Sequence, residues 1–191
     1  LSSFNRFNMK GYFTGLVAVA LFAACNSGTA YKKYTSDPVL YSKTVKRLND
    51  VVLENNFAPM VAARNYVYAN IAAYECIAAG DSSYRSLAGQ IKHLPTLPMP
   101  EKEQSVDYPL AALLAFTKVG NAVTFPEGSL MGYYNELTKA AKDAGIPRKT
   151  LNGTIAFSDK IALTVLKWAK GDNYLQLRTA SRYNVMDSPG R

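Results

Sequence analysis

The stretch PLAALLAFTKVGNAV, residues 109–123, decides the fold class. Wound at 3.6 residues per turn, Leu110, Ala111, Leu113, Leu114, Phe116 and Val119 leave almost no polar face. A helix that is apolar nearly all round is buried on every side, so this one belongs at the centre of a helical assembly.

The neighbouring segments supply helices to surround it. Residues 126–144 are amphipathic and stop at Gly145. Residues 148–170 carry Leu151, Ile155, Ile161, Val165, Leu166 and Trp168 at helical spacing and stop at Gly171. On the N-terminal side, Pro59 opens a helix that Gly80 closes, with a stripe of Ala63, Val67, Asn70, Ile71, Tyr74, Ile77 and Ala78. Its many alanines call for close helix–helix approach. Asp37-Pro38 is an N-cap followed by proline at the first helical position, and Leu40, Val45, Leu48, Val51 and Val52 recur until the pattern fades at Asn55-Asn56. Pro95, Pro98 and Pro100 forbid a continuous helix through 86–107, which reads as a long loop. Residues 172–191 are mixed and carry no closing helix. No segment alternates with period two over a useful length. The expected fold is an all-α bundle of about five helices with no sheet.

Ahead of the bundle, residues 9–25 read MKGYFTGLVAVALFAAC. Lys10 forms a positive n-region, residues 12–22 an apolar h-region, and Ala23-Ala24 precede Cys25 as small residues at a cleavage site. The apolar run is about a dozen residues, short of the roughly 20 needed to span a bilayer. It resembles a bacterial lipobox, with Phe22 an unusual residue three places before the cysteine. The competing reading is a buried core helix. Its terminal place, behind a lysine and ahead of the polar Asn26-Ser27-Gly28, favours export. The expected organisation is a signal peptide over 1–24, lipidation at Cys25, a tether over 25–36 and a helical domain over 37–191. Residues 1–8 read as an extension upstream of a start at Met9. This places the protein in the bacterial cell envelope, held to a membrane by its lipid.

The formal net charge is +8 in 191 residues, with bases scattered in runs of at most two. That suits a solvated surface better than a nucleic-acid footprint, and no nucleic-acid partner is expected. Lipidation of Cys25 would leave Cys76 alone, with no intramolecular disulfide, in an alanine-rich helix where a buried structural thiol is expected. His93, the one histidine, lies in the proline-rich loop without a nucleophile or metal partner. Glu75 stands mid-helix among apolar residues, where an acid needs a partner, and Arg64 or Arg85 is the expected cation. There is no phosphate loop, paired-cysteine metal spacing or nucleophile elbow. The catalytic, cofactor and metal sets are therefore empty, and the 13 tyrosines fit packing or a partner surface.

Several stretches in order carry a resemblance: Ala62-Ala63-Arg64-Asn65-Tyr66-Val67-Tyr68, Ile71-Ala72-Ala73-Tyr74-Glu75, Tyr84-Arg85-Ser86-Leu87-Ala88-Gly89-Gln90, Asp107-Tyr108-Pro109-Leu110-Ala111-Ala112 and Lys167-Trp168-Ala169-Lys170-Gly171-Asp172. Together they resemble the N-terminal helical region of bacterial lipoproteins in the vanadium-dependent haloperoxidase and type 2 phosphatidic acid phosphatase superfamily, over about 37–191. The resemblance implies an oxyanion pocket, for phosphate or vanadate, built from a lysine, arginines, a Ser-Gly-His turn and a second histidine. Those motifs find no place here. Leu177 stands seven residues after Lys170 where an Arg-Pro is needed, and Arg178 comes one late. Ser-Gly-His does not occur. Ser181-Arg182 is followed by Met186 and Ser188 at the glycine and histidine places. The expectation is an N-terminal portion of such a protein, inactive by itself, with vanadate a cofactor only of a full-length relative. Its partner would be the C-terminal half or another protein. The alternative is a stand-alone helical envelope lipoprotein that binds a protein or glycan.

Overall fold

A computed structural model describes residues 27–126 and 128–180. The described chain is all-α, and no β-strand occurs among those residues. In chain order the helices are α1 (Ser27–Thr35), α2 (Pro38–Glu54), α3 (Pro59–Gly80), α4 (Tyr108–Val123), α5 (Met131–Asp143), α6 (Arg148–Gly171) and α7 (Tyr174–Thr179).

α4 is the centre, for the reason its sequence shows. Ala111, Ala112, Ala115, Phe116, Val119 and Val123 face one cluster, built with α2, α3 and α6. Leu110, Leu113 and Leu114 face a second, built with Tyr31, Leu137, Ala141, Ile146 and Leu151. A helix serving two clusters needs apolar residues on opposite faces, and α4 is buried at every position from Leu110 to Thr117.

Local chemistry sets the helix ends. Asp37 caps α2 by accepting from Val39 N at 2.9 Å, and Asp107 caps α4 through Leu110 N at 2.9 Å. α2 ends with Asn56 at φ +50, with Phe57 N donating to the Val52 carbonyl and Asn56 N to that of Leu53. α5 ends the same way at Gly145, φ +88, with Ile146 N on Ala141 and Gly145 N on Lys142. This paired pattern closes a helix on a left-handed residue and satisfies its last carbonyls. Gly80 lies against the Tyr108 ring, where a Cβ would collide, so the α3–α4 approach depends on it.

Four expectations need correcting. The tether over 25–36 contains α1, because Tyr31 and Thr35 find buried places against the bundle. The tail that was expected to carry no helix contains α7, anchored by the buried Tyr174. The amphipathic helix expected over 126–144 begins only at Met131, after a turn in which Ser129 donates to the Pro126 carbonyl. The α3 stripe is rotated: Ala62, Asn65, Ala69, Ala72 and Cys76 are buried, whereas Ala63 and Val67 face outward. Alanines lie on most faces of α3, so periodicity could not pick the inward one. The expected signal peptide and the expected lipidation site, Cys25, lie outside the described residues. None of the described helices is long and apolar enough to cross a membrane.

Candidate functional site

α3, the end of α6 and α7 meet at one edge of the bundle. After Gly171 the chain turns through Asn173, at φ +55, a conformation asparagine tolerates. That turn presents Asp172 to α3. Arg64 Nη2 reaches Asp172 Oδ2 at 2.5 Å, and Arg64 Nε donates to Tyr68 OH at 2.9 Å. Tyr68 OH donates to the same carboxylate oxygen at 2.6 Å. The Arg64 guanidinium also lies over the Tyr174 ring, 5.5 Å from its centroid, and Arg178 lies over that ring at 5.9 Å. Tyr68 packs edge-on against both Trp168 and Tyr174.

Tyr174 pins α7 to the core. Its hydroxyl meets both the Val123 carbonyl and the Asn65 side-chain amide, and Asn65 Nδ2 is otherwise without a partner. One hydroxyl proton cannot serve two acceptors. The arrangement that satisfies every donor turns the Asn65 amide so that its nitrogen donates to Tyr174, which donates onward to Val123.

Burial, reinforced by the bond to Asp172, pushes Tyr68 up to about 12. The Tyr68 bond, and then Arg64, hold Asp172 below the usual carboxylate value. Both shifts move away from neutrality, so the cluster is a poor proton donor or acceptor at neutral pH. Its chemistry is that of a latch holding α7.

Outside this latch lies an apolar face. Leu163 is 69% exposed and Leu175 43%, and both line a groove of about 510 Å³ with Ala122, Val123 and Leu166. Leu163, Lys167 and Lys170 share one side of α6 at i, i+4 and i+7, so lysines rim the groove.

The residues singled out in the sequence scatter. His93 is exposed in the loop at φ +62. Its neighbour Lys92 is held by Trp168 Nε1 at 3.1 Å. Cys76 is fully buried, and burial pushes its thiol well above the ordinary range, as a structural thiol requires. Glu75 is buried, but its partners are Ser86 Oγ at 2.8 Å and Leu87 N at 2.6 Å. The expected ion pair with Arg64 or Arg85 does not form, because Arg64 is spent on Asp172. Lys170 is exposed on the groove, and residues 181–188 lie outside the described residues. No group of three His, Cys, Asp or Glu able to hold a metal occurs among the described residues. The latch itself escaped the sequence reading. Its one visible signal was Arg64 and Tyr68 at i, i+4.

No family model matches the chain, and no curated protein matches it in sequence. Among solved structures the result is different. The chain is similar to a bacterial vanadium-dependent iodoperoxidase. The identity is 30% and the TM-score 0.73, over 81% of this chain and 37% of the iodoperoxidase. The chain thus spans little more than a third of that protein's length, and its helices share the fold of that part of a vanadium haloperoxidase. The expected fold relationship holds for the described bundle.

Proposed function

We propose that this chain is the helical scaffold portion of an exported protein of the vanadium haloperoxidase and type 2 phosphatidic acid phosphatase superfamily, inactive by itself. The similarity to the iodoperoxidase over 81% of this chain, but only 37% of that protein, carries the reading. Oxyanion chemistry of this kind needs a cationic cradle and separate nucleophile and acid groups. The chain has one histidine, exposed in a loop. In the working protein the cradle would come from the other part of the fold.

The α6–α7 face is where that part would dock. The exposed leucines Leu163 and Leu175 leave apolar surface uncovered there. The lysine rim would repel a second copy of the same face, and favours a helix with acidic flanks. The double substitution Leu163→Lys with Leu175→Lys tests this. Binding of a hydrophobic dye should fall several-fold while the melting temperature stays level, since neither side chain is buried. Unchanged dye binding would reject the face as the docking surface. Export and anchoring through Cys25 form part of the proposal. Cys25→Ser should move the protein from the membrane to the soluble fraction in a bacterial host, and identical fractionation would reject it.

A further inference from the structure

A second cavity, of about 540 Å³, lies away from the latch, between the α1–α2 corner, α3 and the start of α4. That volume suits a small ligand. Ala73, Ile77, Ala112 and Leu113 make its apolar walls, and the rings of Tyr41, Tyr74 and Tyr84 line it.

The polar groups on these walls have largely donated their protons elsewhere. Tyr41 donates to Asn70 Oδ1 at 2.7 Å, and Tyr74 to the Arg85 carbonyl at 2.8 Å. Ser36 donates to the Lys32 carbonyl at 2.6 Å, and Thr35 to Asp107 Oδ2 at 3.2 Å. Of the two hydrogens on Asn70 Nδ2, one goes to the Tyr66 carbonyl. The nearby helix ends offer little to an anion either. Pro38 and Pro109 have no amide hydrogen, and the amides of Val39 and Leu110 are capped by Asp37 and Asp107. No lysine, arginine or histidine lines the cavity among the described residues. Its one formal charge is Asp37, whose Oδ2 has no hydrogen-bond partner among them. In a chain of net charge +8, this is an acceptor-rich aromatic pocket with a single negative charge.

We propose that this cavity binds an organic ammonium ion with an apolar body. The cation would sit by Asp37 and the tyrosine ring faces, which attract positive charge through their quadrupoles. The apolar body would lie along Ile77 and Leu113. The site is independent of the α6–α7 docking surface.

Benzyltrimethylammonium is a suitable probe, followed by nuclear magnetic resonance on the purified chain. Saturable binding at about millimolar strength is expected, with shifts at Tyr41, Tyr74 and Tyr84. Phenylacetate, similar in its ring but anionic, should not bind. Asp37→Asn keeps an equally good helix cap while removing the charge, and should weaken binding about three- to fivefold. Tyr84→Ala, at a half-exposed position, should weaken it by a similar factor. Absence of saturable binding, equal binding of phenylacetate, or an Asp37→Asn variant that binds like the wild type would each overturn the proposal.

Discussion

Removing the Glu75 carboxylate should loosen the loop over 86–107 from α3. The carboxylate is 3% exposed and accepts from Leu87 N at 2.6 Å and Ser86 Oγ at 2.8 Å. A hydrogen bond to a charged group contributes about 1.5–3 kcal/mol, and an amide left unpaired adds a penalty. Ser86 is exposed and recovers water, so most of the loss falls on the half-buried Leu87 amide. Glu75→Ala should therefore cost about 2–3 kcal/mol. Glu75→Gln retains an acceptor for Leu87 and should cost about 1 kcal/mol. Arg85→Ala should lie within about 0.5 kcal/mol of wild type, because Arg85 meets this network only through its backbone carbonyl. Urea unfolding followed by circular dichroism measures all three, with an unchanged slope required for the comparison. If Arg85→Ala costs as much as Glu75→Ala, the carboxylate is held by an ion pair after all and this reasoning fails.

Phe116→Ala, at a fully buried site on the central helix, should cost about 3–5 kcal/mol by the same unfolding measurement. Cys76 should resist iodoacetamide in the native protein and react only on unfolding; rapid native alkylation would contradict its burial. The raised Tyr68 value stabilises the fold below pH 10, and that contribution should be lost as pH rises from 10 through about 12, with tyrosinate absorbance appearing together with unfolding. Asp172 acts in the opposite direction: its value is lowered from 3.8, so its contribution is present above that pH and lost as pH falls below it, and Asp172→Asn should flatten this acid limb.

The parts of the fold that could be read from the sequence are those where one residue type has one physical consequence. α4 is apolar on all faces, so its central place followed from composition alone. Pro59 and Gly80 marked both ends of α3, and proline density marked the loop. α3 hid its inward face because alanine packs equally well on any side. α1 and α7 went unread because each is short and depends on one buried tyrosine, Tyr31 or Tyr174, whose partners are distant in sequence. The latch is of the same kind, since Arg64 and Asp172 are 108 residues apart. For Glu75 the need for a partner was legible. Its choice of a loop amide over an arginine was not, because loop geometry decides it.

Vanadate binding to the purified chain bears most directly on the central claim that this is a scaffold without its own oxyanion chemistry. Vanadium magnetic resonance of residues 26–191, paired with an iodide oxidation assay in peroxide, gives both occupancy and turnover. The expected result is no saturable vanadate binding and no turnover above buffer, in wild type and His93→Ala alike. Saturable binding with iodide turnover that His93→Ala abolishes would contradict the claim, and would make the loop histidine a catalytic residue.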